Sequence, residues 1–489
     1  MARVPGVNIQ EVRRGPTPIQ RASTGVAGIV GPTQWGPPNR PMLVTSWQAF
    51  QRLFGSWIPD SYIPDTAFQF FNQGGSQLWV CRIVGPNAQV GTVTLQDRAA
   101  TPSPTLRIDA LYPTLAPIAI TVEDARYDPG ERFRILIAFD GQIVETWEEL
   151  SMDPADARYV AQVLQASEYV RVTDLDSPTT APDDRPAVGV YALVGGDPDH
   201  DGITDTEVVG SVDAAGNRTG LAALEIEPIN YVATPGYYSD IVHAALIAHA
   251  TNRRRYAVLD VPPDTIVSDA VAIRRRYDTS YAGLLYNWAS HFYPPTGGAR
   301  FIPPSAWWLG VRARVDAQRG PWKSAANEPI LGALAVERRL ADGDIETLTD
   351  NQIVPLHLLD QGGIRIWGTR TLSTDGEWLH DTRRLLFLFA ENSIAAGIQW
   401  AAFEPNNRAL WQRLRASIRQ FIEGELVTPG ALKGGEGVGY MVIVDETNNP
   451  PTTPKGHVYV DVGLADAEPA EFIWLRFGAM ESGTSVSEG

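Results

Sequence analysis

The chain is 489 residues long, 44% hydrophobic and 20% charged, with a formal net charge of −17 and one cysteine. That length exceeds one ordinary core and the composition is globular, so about two to four domains are expected and disorder is excluded. The acidic balance excludes a sequence-independent nucleic-acid binder, which needs clustered Lys and Arg to neutralise phosphates, and favours a soluble exterior. Cys81 sits in Leu78-Trp79-Val80-Cys81-Arg82-Ile83-Val84, a buried-strand pattern that makes it a core thiol rather than half of a disulfide. The N-terminus lacks the apolar core of a signal peptide, and no run approaches the roughly 20 apolar residues that span a bilayer. Folding in the cytoplasm is expected, with any work outside the cell done after lysis or as part of a particle.

Residues 1–21 carry few apolar side chains, yet Val7 and Ile9 alternate with Asn8 and Gln10 as in a strand, and Pro16 and Pro18 stiffen the exit. A strand without a local partner must fray or pair with another sheet. Next the pattern predicts a strand at Val26–Val30, a helix from Thr45 or Ser46 toward Leu53, a helix around Asp65–Asn72 and a strand at Leu78–Val84. The spacing of Gly25, Gly28 and Gly31 fits no phosphate loop. Between about Ala88 and Gly195, alternating runs such as Ile118-Ala119-Ile120-Thr121-Val122 and Phe133 to Phe139 predict a mostly antiparallel β unit, with one helix near Ala155–Ala166. Pro86 on one side and Pro182 to Pro186 on the other mark it as an insertion, placed on the outer surface.

The acidic run Asp197 to Asp205 resembles half of a calcium loop, with Asp197, Asp199, Asp201 and Asp205 as weak ligand candidates; position twelve is Val208 rather than the required Glu, so a solvated loop is preferred. From Gly220 to about Leu340 strands and helices alternate: strand Ile229–Ala233, helix Tyr238–Ala250, strand Tyr256–Val261, helix Ser268–Tyr277, strand Gly283–Trp288. Asp260 and Asp264 stand where α/β enzymes keep carboxylates, at a strand's C-terminal end, but helix capping or a loop role is the preferred reading. Gly362 to Leu372 reads as a glycine turn with a short buried strand (Ile364, Ile366), followed by a helix from about Asp381 to Ala396 and a strand near Gln399–Phe403. Asn406 to Glu423 forms an amphipathic helix whose Leu410, Trp411, Leu414, Ile418, Phe421 and Ile422 share one stripe while Arg408, Arg413, Arg415 and Arg419 lie largely elsewhere. Val458, Val460, Val462 and Leu464 alternate as a strand, and the run Phe472 to Phe477, including Trp474, forms another before the polar tail 481–489.

The words along this chain resemble the contractile tail sheath family, of phage tails and phage-derived injection systems. They are Val4-Pro5-Gly6-Val7-Asn8-Ile9, Thr24-Gly25-Val26-Ala27-Gly28-Ile29-Val30-Gly31, Phe70-Phe71-Asn72-Gln73-Gly74-Gly75, Gly362-Gly363-Ile364-Arg365-Ile366-Trp367-Gly368-Thr369-Arg370, Trp400 to Asn406, and Asp445-Glu446-Thr447-Asn448-Asn449-Pro450-Pro451. Only about Ala88 to Gly195 matches weakly. The resemblance implies an α/β and α+β multi-domain chain with the tail-sheath fold, an inserted mostly-β outer domain, and N- and C-terminal strands exchanged between subunits. The expected division is an arm at 1–21, an α/β middle domain at 22–87 plus 196–345, the insertion at 88–195, an inner domain at 346–480 and the tail beyond.

A sheath subunit implies partners: itself, in a helical stack of rings with six-fold symmetry, an inner tube protein, and baseplate and terminal cap proteins, with neither nucleic acid nor membrane insertion. Exchanged strands fall on Val7, Ile9, Val458, Val460, Val462, Phe472 and Trp474. Arg413, Arg415 and Arg419 are candidates for gripping the tube, against the plainer reading of a solvated face with pairs inside the chain. No G-x-S-x-G, H-E-x-x-H or P-loop occurs, and the seven histidines are scattered. No catalytic residue, cofactor or metal is therefore assigned. The alternatives are a minor sheath, cap or baseplate-proximal ring subunit, or an α/β enzyme using Asp260 or Asp264.

Overall fold

The computed structural model describes residues 18–469 and Glu471. It divides into a larger unit, Ser23–Gly320 with Ala325–Asp381, and a smaller one, made of residues up to Ala22, Pro321–Ser324 and Thr382 onward.

The larger unit is built on an eight-stranded sheet in the order Gly363–Ile366, Ile353–Leu359, Ala282–Tyr286, Tyr256–Asp260, Tyr231–Ala233, Val26–Gly31, Gln77–Arg82, Met42–Val44. The six central strands are parallel and an antiparallel strand closes each edge. Val26–Gly31, Tyr256–Asp260 and Ala282–Tyr286 are buried at every residue, which is why they read as unbroken apolar runs. Helices start where capping side chains stand: Ser46 accepts from Ala49 N ahead of Trp47–Phe54, and Ser239 from Val242 N ahead of Asp240–Arg253. One face packs on Asp240–Arg253 and Val267–Arg274 through Val242, Leu246, Ala270 and Val271.

Beneath the sheet's other face runs the helix Pro304–Arg319, which the sequence periodicity did not predict. It is buried at all ten positions from Pro304 to Ala313, Trp307 and Trp308 included, so it shows no polar stripe. Gly310 lets it approach Ile63–Asn72 closely, because a Cβ there would stand 2.8 Å from the Phe70 carbonyl oxygen.

Between Val84 and Pro198 the chain forms two antiparallel sheets. One is ordered Gly189–Ala192, Ile118–Asp124, Phe133–Phe139, Gln142–Leu150; the other Thr92–Gln96, Pro104–Ala110, Val170–Asp174. Their shared core holds Leu95, Leu106, Ile108, Ile120, Ile135 and Ile137, and Trp35 enters it from outside the insertion, stacking on Tyr169 at 5.6 Å. Arg82 ties the neck by donating to the carbonyls of Thr33, Gly36 and Pro113; burial pulls its pKa down to about 9. The helix expected at Ala155–Ala166 shrinks to Val160–Val163 and a 3-10 turn, Leu164–Ala166. Asp153 and Asp156 side chains accept from Ala155 N and Arg158 N, and these local turns displace its first half.

The smaller unit packs the helix Asp381–Gly397 against Arg408–Ile422 and a two-stranded antiparallel sheet, Tyr440–Ile443 with Asp461–Leu464. Leu386, Phe389, Ile418, Phe421, Ile422, Tyr440 and Val442 form its core, which Ile19 joins. Ile19 lies within the expected 1–21 arm, and just past that arm Ala22 N donates to Ser393 Oγ.

The structure groups residues up to Asp381 with the larger unit, because Ile353–Leu359 and Gly363–Ile366 extend the large sheet. The strand expected near Gln399–Phe403 is a 3-10 turn, Gln399–Ala401, that ends on Phe403 with φ 67°; Pro405 then bars further pairing.

Candidate assembly interfaces

The C-terminal edge of a parallel sheet is where an α/β enzyme would hold its chemistry, and here it is filled by the protein itself. Asp260 Oδ1 and Oδ2 accept from Ser305 N and Ser305 Oγ at 2.8 and 2.5 Å, so the carboxyl caps Pro304–Arg319. Burial pushes it up to about 7. Asp264, in a left-handed turn (φ 59°), donates its N–H to Glu337, and its carbonyl accepts from Arg338. A Cβ on Gly31 would strike Ile63, and one on Gly236 would strike Tyr62, so side chains occupy the mouth beside the first strand.

Two buried polar clusters escaped the sequence reading. Arg312 pairs with Asp316 at 2.6 Å, both fully buried, and Tyr231 donates to Asp316 at 2.5 Å. Burial drives the Asp316 carboxyl up against the pull of Arg312. The signal was an i,i+4 Arg/Asp pair inside an otherwise apolar stretch. His291 Nε2 meets Asp65 at 2.7 Å, Arg300 stands 3.1 Å from the same carboxylate, and Trp57, Phe68 and Trp307 surround the imidazole. His291 Nδ1 is buried without a hydrogen-bond partner, so no nucleophile completes a triad. These clusters lock core helices and hairpins together.

The acidic loop has other work. Asp197 accepts from Asp199 N, Asp199 from Asn87 N, and Asp205 from Ser239 Oγ, while His200–Gly202 forms a 3-10 turn bearing Asp201. Among the described residues no group of three or more His, Cys, Asp or Glu is placed to hold a metal ion.

Among the described residues the small sheet is the narrowest, flanked only by single bridges, Leu432 with Asp466 and Glu436 with Tyr440. Its two strands pair with each other, and among the described residues no third strand joins them. Val458, Val460, Val462 and Leu464 are half-buried against the core, but the strand proper covers only Asp461–Leu464. Ahead of it Asn449 stands in for a strand neighbour, accepting from Tyr459 N at 2.7 Å and donating to Tyr459 O at 2.9 Å. Asn448 likewise donates to the Ile443 and Tyr459 carbonyls. This gives the Thr447-Asn448-Asn449 segment a physical role. Val7, Ile9, Phe472 and Trp474 lie outside the described residues.

Beside that sheet, Arg408–Ile422 starts at Asn407, whose side chain accepts from Leu410 N. Arg413 pairs with Glu404 at 2.8 Å, Arg415 with Glu436 at 3.0 Å and Arg419 with Glu436 at 2.8 Å, while each arginine side chain stays 41–51% exposed. The basic face is therefore laced with acids yet open, and exposed pairs of this kind are worth little to folding.

Comparison with known proteins places a boundary at 372/373, nine residues before the division of the structure. Residues 209–372 match the family described as phage tail sheath protein central domain, and residues 373–479 the phage tail sheath C-terminal domain. The chain is 30% identical over 277 residues to a putative prophage major tail sheath protein of Pseudomonas aeruginosa (strain UCBPP-PA14), covering 54% of this chain and 70% of that protein. It is 24% identical over 502 residues to the tail sheath protein of Burkholderia phage BcepMu, covering 95% and 94%. Among solved structures, the sheath tail protein of Desulfitobacterium hafniense shares the fold at TM-score 0.62 and 16% identity, covering 90% of this chain and 94% of that one. The contracted PVC sheath complex of an extracellular contractile injection system does so at TM-score 0.59 and 19% identity, covering 98% of each.

Proposed function

The chain belongs to the phage tail sheath family and is a contractile sheath subunit; from that premise we propose that it polymerises helically around an inner tube by exchanging terminal strands. The observation that carries the proposal is the small sheet, to which no third strand is added among the described residues. An extended segment of a neighbouring subunit added to either edge would satisfy its free backbone groups. Residues 1–14, with Val7 and Ile9, and the run with Phe472 and Trp474 supply the strands. Each backbone hydrogen bond contributes a net ~0.5–1.5 kcal/mol, and repetition through the lattice multiplies the hold. Gly15-Pro16-Thr17-Pro18 then acts as the link across which rigid subunits turn while the strands stay paired.

Contraction on this account draws on the difference between two packings of the same subunits, with no nucleotide consumed. The subunit has no catalytic role. Rings are six-fold, and assembly takes place in the producing cell's cytoplasm before the particle leaves; baseplate and cap proteins close its ends. Arg413, Arg415 and Arg419 face the tube, exchanging their exposed acid partners for acids of the tube surface.

Negative-stain electron microscopy of the protein alone and with its tube protein tests this. Cross-striated hollow cylinders are expected, narrower when the tube is present. Arg413→Glu/Arg415→Glu/Arg419→Glu is expected to leave folding intact and to abolish assembly on the tube. Unchanged co-assembly would place the tube contact elsewhere, and dispersed monomers of the unaltered chain under both conditions would contradict the sheath polymer.

A further inference from the structure

The 3-10 turn Gln399–Ala401 leads to a residue that its own chain leaves unburied. Phe403 is fully exposed, and its backbone holds φ 67°, a left-handed conformation costly for a bulky side chain. Strain that keeps an aromatic ring in water has no use in the isolated subunit, and such rings are the usual anchors of protein interfaces. The loop beneath it is braced: Glu404 pairs with Arg413, whose guanidinium lies 4.9 Å from the centre of the Trp400 ring.

In the larger unit, a cavity of about 370 Å³ has the chemistry to receive that tip. Ile266, Val267 and Leu340 give it apolar surface, and Arg338 and Arg339 outweigh the single acid Asp344. Ile266 is 48% exposed, and Arg338 Nε is buried with no acceptor. A buried donor without a partner is costly to leave unmet. The cavity's accessible lining is more polar than apolar, with two arginines against one acid, so it calls for an acid flanked by a ring that can lie on Ile266, Val267 and Leu340, and Phe403-Glu404 is that sequence.

We propose that the Phe403-Glu404 tip of one subunit docks into this cavity on a second copy of the chain, the ring against Ile266, Val267 and Leu340 and the carboxylate against Arg338 and Arg339. The inference rests on the sheath reading, since a polymer is what brings successive copies into register. It adds a side-chain knob to the exchanged strands, a contact that can be made in one packing and broken in the other.

Cysteine cross-linking tests it, because the chain's single cysteine, Cys81, is buried. Phe403→Cys subunits co-assembled with Ile266→Cys subunits should, on mild oxidation, give disulfide-linked dimers, and the double variant a ladder. Normal cylinders without cross-links would overturn the docking and leave the sheath reading standing. Absence of cylinders from the unaltered chain would overturn both. Should the cysteine variants assemble poorly, Phe403→Ala decides: its melting temperature should be unchanged while the concentration needed for polymerisation rises about tenfold, the effect of losing one aromatic anchor. Glu404→Arg should impair assembly likewise and be rescued by Arg338→Glu/Arg339→Glu. Polymerisation of Phe403→Ala at the ordinary concentration would sink the proposal.

Discussion

The two units treat their sheets in opposite ways. The eight-stranded sheet is covered on both faces by helices and ends in antiparallel edge strands of three and four residues, Met42–Val44 and Gly363–Ile366. Short edges of this kind discourage further pairing. Among the described residues the smaller unit has two strands of four residues each, a length and number that are marginal in isolation. Asn448 and Asn449 imitate strand partners ahead of Asp461, yet neither edge gains a third strand among the described residues. A finished sheet makes a rigid body; a two-stranded one is what the proposed joint requires. A contracting polymer needs both, because its subunits must turn without deforming and without separating.

The sharpest way to break this contrast is to attack the finished unit at its centre. Asp316→Ala removes the carboxylate 2.6 Å from the Arg312 guanidinium and takes the acceptor from Tyr231. A loss of about 3–5 kcal/mol is expected, the usual cost of removing one member of a buried ion pair. Chemical denaturation should show the main transition moving to much lower denaturant. A change under 1 kcal/mol would mean that the pair does not hold the larger unit together.

A comparable probe at the sheet's C-terminal edge is Asp260→Asn. The Asp260 carboxyl has its folded pKa raised from 3.8 to about 7. Between those values the unfolded chain has released a proton that the folded one keeps. Asp260 therefore lowers stability as pH rises through that window and adds no further pH dependence above it. His243 and His249, each lowered to about 4 by burial, act in the opposite sense, costing stability as pH falls below their ordinary 6.5. The difference between variant and native protein isolates Asp260. Asp260→Asn should gain on the native chain from pH 4 to pH 7, by up to about 4 kcal/mol, measured as melting curves at fixed pH. A constant difference would mean that the buried carboxyl stays ionised.

How much of this was legible follows from burial. Parallel strands covered on both faces, such as Val26–Gly31 and Tyr256–Asp260, read as apolar runs between turns. Ser46 announced a helix start through ordinary capping chemistry, and Ser239 and Asn407 carry the same signal one residue past the starts expected at Tyr238 and Asn406. The helix Pro304–Arg319 stayed hidden for the same reason that it is central: buried on every side, it has no polar stripe to set a period. Arg312 and Asp316 interrupt its apolar run, although Pro303-Pro304 ahead of them was a usable start signal. At Trp400–Phe403 an apolar run imitated a strand, and what distinguished it, an exposed ring on a left-handed residue, is a property of tertiary structure. The basic stripe was visible, but its acids were not: Glu436 follows Arg415 by 21 residues and Arg419 by 17, and no local pattern joins them.

The central claim is that the small sheet is completed by a strand from a neighbouring subunit. The most direct measurement compares the full chain with residues 15–489 by negative-stain electron microscopy, with circular dichroism to check folding. The shortened protein is predicted to fold with an unchanged melting temperature and to form no cylinders under conditions where the full chain does. Cylinders of normal length and striation from residues 15–489 would contradict the claim that this arm joins the sheath.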